Sequence, residues 1–156
     1  MALPANAPTT QPPPPTTTPA RDDASREDPQ VSAQHFRAAF EQAAVGMSHV
    51  SLEGRWLRVN QKMCELVGYT REELLRLSFR DLTHPDDLQP ELPRQALAGQ
   101  ITTYQVEKRY LHKQGHHVWG QATVSLVRTP DGRPDYFLAV VVDISARKAA
   151  EARLQQ

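Results

Sequence analysis

Seven apolar residues in a row, 136–142, are rich in aromatic and β-branched side chains. Such a run predicts a central strand that is buried on both faces of a sheet. Asp143 ends the run, and helix-forming residues follow from Ser145 to Leu154 without an intervening loop. The pattern therefore predicts a core strand that continues directly into a C-terminal helix, so that a change in the core could be passed along that helix.

Apolar and polar residues alternate with period two from residue 102 onward, which predicts two further strands, at 102–112 and 117–127. Glycine-containing turns separate these strands from each other and from the apolar run. In the second strand Val118 and Val124 fall on one face, and Trp119 falls on the opposite, more polar face. These three strands are expected to form a meander.

A first hairpin is expected nearer the N-terminus, with strands at 47–52 and 55–59 joined by a tight turn at Gly54. Strict alternation in the second of these strands would place Val59 on one face and Trp56 on the other.

Helices are predicted on either side of this hairpin. Phe36 and Phe40 recur at helical spacing within an amphipathic helix over residues 32–44. After the hairpin, Asn60 is a good N-cap and Gly68 supplies a left-handed C-terminal stop for a second helix.

The segment after Gly68 carries further helix signals. Thr70 and Glu73 have the spacing of a capping box, which opens the next helix. A turn is expected at 79–82, and the residues that follow predict a helix that opens at 83–87 and runs to about residue 98. The whole order is helix, two strands, short helices, three long strands and helix. That order predicts an α+β fold with a five-stranded antiparallel sheet and helices on one face.

Composition divides the chain into unequal parts. Residues 1–30 contain eight of the 13 prolines and few large apolar side chains, so we expect a disordered leader. Its proline run could also adopt polyproline II and dock on a partner. The remaining chain is expected to comprise the domain, residues 31–143, and the start of a signalling helix, residues 144–156.

Charge and cysteine content narrow the class of protein. After the leader the chain has 16 basic and 14 acidic residues, a balance that argues against a nucleic-acid surface. No apolar run approaches the length of a membrane helix, so membrane insertion is not expected. Cys64, the single cysteine, suits a reducing compartment such as the cytoplasm, and we interpret it as a core residue.

The motifs in combination resemble the PAS domain with its C-terminal PAC motif, as found in bacterial diguanylate cyclases and histidine kinases. The residues that carry the resemblance are FRAAFEQAAVGM (36–47), LEGRWLRVN (52–60), CELVGYTREELL (64–75), DLTHPDDL (81–88), EKRY (107–110) and VVDISARK (141–148). The resemblance implies strand order 2-1-5-4-3, and it implies that Asp143, Ile144 and Ser145 form the junction to an output domain. We expect Asp143 to cap the terminal helix, Ile144 to anchor it and Arg147 to take part in the coupling.

Each cofactor known for such domains was tested on the residues. The flavin-thiol motif has no counterpart, because residues 78–82 contain no cysteine. His84 precedes the helix that would carry a haem ligand, and capping is its plainer role. His112, His116 and His117 flank one turn, and a solvated turn explains them better than a metal site. No cofactor is therefore predicted, although haem and flavin stay open as alternatives.

The leading hypothesis is a sensory module that is not itself an enzyme and that relays a signal through the C-terminal helix to an effector domain or partner. No nucleophile–base pair, phosphate-binding glycine loop or carboxylate pair is recognisable in the sequence. The alternative is a standalone, ligand-free dimerisation or interaction module. A homodimer through the N-terminal helix and the sheet face is expected, with Trp119 on that face and Phe36 and Phe40 lying against it. Glu107 and Lys108 are interpreted as surface or helix-packing charges.

Overall fold

The structure is a computed structural model that describes residues 3–4, 10, 12–13 and 29–155. Most of the predicted disordered leader lies outside the described residues. The first helix begins at Pro29, three residues before the predicted start. The elements are α1 (Pro29–Gln42), β1 (Gly46–Val50), β2 (Trp56–Val59), α2 (Gln61–Val67), α3 (Arg71–Leu74), α4 (Phe79–Leu82), a 3-10 turn (Pro85–Asp87), α5 (Glu91–Leu97), β3 (Thr103–Leu111), β4 (His117–Arg128), β5 (Pro134–Asp143) and α6 (Ser145–Leu154).

The five strands form one antiparallel sheet in the order β2-β1-β5-β4-β3, which confirms the predicted fold. Strand β5, the apolar run, lies in the middle and pairs with β1 on one side and with β4 on the other. Helices α2 to α5 cover the inner face, where the buried side chains of the core lie. Helix α1 lies against the outer face, where the ring of Phe40 meets His49 of β1 at 5.3 Å between centroids.

Asn60 ties the N-terminal helix, the first strand and α2 together. Its side-chain oxygen accepts from the backbone N–H of Met47 and of Met63, both at 2.9 Å. Its amide nitrogen donates to the carbonyls of Phe40 and Val45 at 2.8 and 3.0 Å. The predicted N-cap is therefore confirmed, and the residue is fully buried with all of these hydrogen-bonding capacities used.

The other predicted helix signals are also in place. Gly68 adopts the left-handed conformation at the end of α2, with φ of 78°. Thr70 and Glu73 form the reciprocal capping box of α3. The predicted turn at 79–82 is instead a short helix with its own capping box, from Ser78 and Asp81, that the sequence reading missed.

The helix predicted from 83–87 to about residue 98 was wrong in its extent. The chain makes a single 3-10 turn at Pro85–Asp87, runs extended through Leu88, and starts α5 only at Glu91. Pro90 accounts for the interruption, because it cannot donate a backbone hydrogen bond and it disfavours helical geometry in the residue before it.

The face assignment in β2 was wrong as well. Trp56 and Val59 are both buried, while Leu57 is 55% exposed. The register shifts between His49 and Val50 of β1, so that Leu57 is an extra residue, and this bulge returns Trp56 to the core side. The connection between these strands is also longer than a two-residue turn, since Val50 pairs with Trp56 and residues 51–55 lie between them.

The central strand is not buried on both faces as expected. Phe137 and Val141 point to the core and are buried, but Val142 on the other face is 41% exposed. The outer face is covered only in part, since α1 lies near β1 and α6 leaves from the end of β5. Strand β5 is thus central in the strand order, but the outer face of the sheet around it is only partly covered.

Candidate functional site

A cavity of about 250 Å³ lies between the inner face of the sheet and the segment from α4 to α5. Three short side chains, Ser48, Ala122 and Ala139, leave room at the sheet centre because they stand on neighbouring strands. Most of the wall is apolar, and the described residues that line it include no histidine and no cysteine.

Lys108 brings a charge into this cavity. It stands on β3 in phase with the other inward side chains Tyr104, Val106 and Tyr110, and it is only 9% exposed. The Lys108 Nζ donates to the Thr83 Oγ1 at 3.0 Å. Lys108 is therefore not a surface charge; it packs against the α4 segment, beside Phe79 and Thr83, as the helix-packing alternative expected.

The surroundings of Lys108 destabilise its protonated, charged form. Removal from water lowers the pKa of the amine from 10.5 to about 8, and the charge of Asp87 opposes that shift. The rings of Phe79 and Tyr110 face the ammonium, with the nitrogen 5.1 and 4.9 Å from their centroids. These rings give partial compensation but accept no conventional hydrogen bond.

Asp87 belongs to a different pair. Its carboxylate accepts from the Arg109 Nε and Nη2, both at 2.9 Å, and from the Arg109 backbone N–H at 2.8 Å. These hydrogen bonds hold the pKa of Asp87 at about 2. The pair fixes the 3-10 turn against β3. His84 caps that turn, since its Nδ1 accepts from the Asp86 N–H, which agrees with the plainer of the two roles considered.

The junction between β5 and α6 is held against β4. Ile144 is buried, and its backbone N–H donates to the Trp119 carbonyl at 2.9 Å. The Ser145 Oγ accepts from the Trp119 N–H at 3.2 Å, and the Asp143 carboxylate accepts from the Ser145 N–H at 2.8 Å. Ile144, rather than Asp143, occupies the N-cap position, so Asp143 supports the helix start from one residue further out.

Charged residues of the first turn of α6 add a second attachment. The Lys148 Nζ lies 2.7 Å from the Glu107 carboxylate and 4.8 Å from the ring centroid of Trp119. Arg147 pairs with the same carboxylate of Glu107. The two cations lower the pKa of Glu107, Lys148 more than Arg147. Because these groups are partly exposed, the contribution to stability is modest, but it orients the helix on the outer face.

The cavity and the junction share one row of the sheet. Lys108 pairs with Gly120, and Gly120 pairs with Asp143. Two strand spacings, roughly 10 Å, therefore separate the backbone of the cavity cation from that of the junction carboxylate. Gly120 has no alternative here, because a Cβ would lie 2.6 Å from the Tyr110 ring. Side chains in one row face the same side of the sheet.

The residues predicted for a partner face are not brought together. Phe40 is buried within the chain, and Phe36, 45% exposed, stacks on it. Both lie beside His49, whose row in the sheet crosses β4 at Ser125, six residues or roughly 20 Å from Trp119. Within one chain these phenylalanines do not lie against Trp119, which is half-buried beneath α6. Their assignment to a dimer face stays a prediction.

The histidines of the turn and Cys64 were the remaining candidate residues. His112 and His116 stack with their centroids 4.2 Å apart at the turn, and no group of three potential metal ligands comes together in the part of the chain that the structure describes. Cys64 is buried in the core, where desolvation raises the pKa of its thiol.

Lys108 was the functional candidate that sequence reasoning missed. The signal was present, since its position is in phase with three inward-facing residues of the strand. A charged residue in that phase is uncommon and marks either a pairing partner or a site.

The chain is similar to known proteins in sequence and in structure. The family described as PAS fold matches residues 56–141. The probable diguanylate cyclase DgcE of Escherichia coli (strain K12) is 44% identical over 135 residues, which cover 85% of this chain and 12% of that protein. The sensor histidine kinase TmoS of Ectopseudomonas mendocina is 32% identical over 129 residues, covering 81% of this chain and 13% of that protein.

Among solved structures, the PAS domain of a protein from Colwellia psychrerythraea superposes with a TM-score of 0.64 at 21% identity, covering 74% of this chain and 98% of that one. That likeness shows the fold alone. The chain spans about an eighth of the length of the two curated relatives. None of the helices in residues 29–155 is both long enough and apolar enough to cross a membrane.

Proposed function

The chain belongs to the PAS family, and we propose that it senses the occupancy of its cavity and reports it through α6 to an effector. In this proposal residues 31–143 are the sensor and residues 144–156 begin the signalling helix. The single cysteine supports a cytoplasmic location.

The observation that carries the proposal is the row that joins Lys108, Gly120 and Asp143 across the sheet. A ligand that draws or repels the Lys108 side chain acts on β3, and two ladders of hydrogen bonds connect that strand to the start of α6. Only a difference in free energy between two helix positions can carry a signal. The exposed outer end of β5 and the modest ion pairs of Glu107 favour two such positions of similar energy.

The effector is proposed to be of the diguanylate cyclase or histidine kinase type, because the two curated relatives carry those names. The domain itself is proposed to have no catalytic activity. Asp143, Ile144, Ser145 and Arg147 are the proposed coupling residues, and Trp119 is added to them as the β4 residue on which they are anchored.

The test measures the output of a diguanylate cyclase domain fused after residue 156, with the substitution Asp143→Ala. The change removes the acceptor for the Ser145 N–H, which typically weakens a helix start by about 1 kcal/mol. That free energy corresponds to roughly a fivefold change in an equilibrium between two helix positions. We expect cyclase activity to change by a factor of that order, and amide exchange in the first turn of α6 to accelerate.

The matched control is Asp135→Ala, which removes an exposed carboxylate at the opposite end of the same strand. It should leave both readouts at the wild-type level. Equal cyclase activity in wild type, Asp143→Ala and Asp135→Ala would remove Asp143 from the coupling path.

A ligand-free interaction module is the second candidate function, and apolar side chains exposed on the outer face of the sheet favour it. Phe36 and Val142 are 45% and 41% exposed on that face. We propose that a second copy of the chain covers them in a homodimer. Sedimentation equilibrium of wild type and Phe36→Ser tests this, with a weaker dimer expected for the variant and an unchanged or absent dimer contradicting it.

A further inference from the structure

Lys108 is a buried cation, and none of the described carboxylates forms an ion pair with it. The nearest carboxylate candidate in the cavity wall, Asp87, already accepts three hydrogen bonds from Arg109. In the described part of the chain, the Lys108 ammonium makes one hydrogen bond, to Thr83. The Thr83 hydroxyl in turn donates to the Phe79 carbonyl at 2.8 Å, so its own proton is used. An ammonium has three N–H donors, and two of them are available to a molecule in the cavity.

Besides Lys108, the charged residues of the cavity lining are Arg80 and Asp87. The Ser48 hydroxyl lines the wall, and Arg80 stands exposed at the margin with its guanidinium bonded to the Glu53 carbonyl. The negative charge of Asp87 is offset by Arg109. The local field therefore favours a negative group beside Lys108, while the apolar wall favours a hydrocarbon body.

The cavity volume limits the size of the occupant. A cavity of about 250 Å³ has room for a small organic molecule. A six-carbon carboxylate, with eight non-hydrogen atoms, is of this class.

We propose that the cavity binds a small amphiphilic monoanion whose carboxylate accepts hydrogen bonds from Lys108 and whose hydrocarbon chain packs on the apolar wall. This inference rests on the proposed sensory role of the cavity and names the chemical class of its ligand. The carboxylate supplies the hydrogen-bond acceptors that the fold withholds from the ammonium, which makes the contact charge-assisted and stronger than a neutral one.

The experiment titrates the full chain with hexanoate and with 1-hexanol by calorimetry, using wild type, Lys108→Met and Lys62→Met. Lys62 is exposed on α2 and is the matched control. We expect wild type and Lys62→Met to bind hexanoate roughly tenfold more tightly than 1-hexanol. In Lys108→Met this preference should be lost, because the affinity for hexanoate falls while that for 1-hexanol stays the same.

A second readout uses wild type alone and does not depend on the variant folding. The charged and titratable groups around the cavity are Lys108, Arg80, Asp87, Tyr104 and Tyr110. Asp87 has a pKa of about 2, Tyr104 one of about 12, and burial raises that of Tyr110, so the amine of Lys108 is the group that loses its proton between pH 7 and about pH 9.5. The affinity for hexanoate should fall roughly tenfold over this range, and that for 1-hexanol should not change.

Equal affinities for hexanoate and 1-hexanol in wild type, no binding of hexanoate, or unchanged binding in Lys108→Met would each overturn the proposed ligand class. These outcomes are distinct from a failure of the sensory role. Hexanoate that binds with the expected preference and leaves the output of the fused cyclase unchanged would preserve the ligand class and contradict the relay.

Discussion

The substitution Lys108→Met tests, without any ligand, whether the buried charge of Lys108 destabilises the folded protein. Burial lowers the pKa of the amine from 10.5 to about 8, and at about 1.4 kcal/mol for each pKa unit its charge costs the folded protein about 3 kcal/mol near neutral pH. Methionine keeps most of the methylene contacts and removes the charge. The hydrogen bond to Thr83, about 1 kcal/mol, and the contacts with two aromatic rings are lost. The variant should therefore be more stable than wild type by about 1 to 2 kcal/mol.

The same reasoning fixes the pH dependence. Below about pH 8 the amine is protonated in the folded and unfolded states, so the full penalty applies to wild type. Between about pH 8 and 10.5 the folded state releases the proton first, the unfolded state binds more protons, and the free energy of unfolding rises with pH. Wild type should gain about 2 kcal/mol between pH 7 and 9.5, and Lys108→Met should gain none from this group.

Urea unfolding followed by tryptophan fluorescence measures both quantities, since Trp56 is buried in the core. The measurements should stop near pH 9.5, because the raised pKa of Tyr104, about 12, makes the folded state lose stability at higher pH. Lys62→Met is the control and should follow wild type at every pH. A variant that is less stable than wild type at pH 7, or a difference that does not narrow by pH 9.5, would refute the assignment of an uncompensated buried charge.

Two further predictions concern the frame around the site. Asn60→Ala removes four hydrogen bonds of a fully buried side chain and should lower the free energy of unfolding in urea by about 3 kcal/mol; a loss below about 1 kcal/mol would contradict its role. Asp87, with a pKa near 2 instead of 3.8, stabilises the fold by about 2 kcal/mol above pH 4, and that contribution disappears as pH falls toward 2. Asp87→Asn should lack this part of the acid dependence in urea melts, whereas the exposed control Asp135→Asn should retain it.

Local signals in the sequence were sufficient for most of the fold. The N-cap bond of Asn60 to Met63, the stop at Gly68 and the capping box of Thr70 and Glu73 act within four residues, so their geometry follows from backbone chemistry alone. The alternation of the three long strands and the direct passage from residues 136–142 into a helix are likewise local. Their order left few sheet topologies open, and the resemblance to the PAS family selected the one observed.

The errors have tertiary causes. An extra residue at Leu57 exists only because the register of β1 requires it, and period-two alternation in β2 alone cannot show a bulge. Trp119 is covered by Lys148 of α6 instead of by α1, which depends on where the two helices leave the sheet. Pro90 and Pro93 marked irregularity, but the sequence did not show that the 3-10 turn is held on β3 by the pairing of Asp87 with Arg109.

By itself, the sequence determined the α+β class, the two ends of α2, the start of α3 and the strand that leads into α6, because each depends on interactions between residues close along the chain. Only the tertiary structure decided that Lys108 faces a cavity. The alternation in β3 predicts that Lys108 faces inward. The cavity beside it exists because short side chains from distant segments, Ser48, Ala122 and Ala139 among them, leave that space unfilled. The lack of a counter-charge is equally non-local, since it follows from the pairing of Asp87 with Arg109. The fold thus places the Lys108 ammonium beside the cavity, and no interaction between residues close along the chain predicts this.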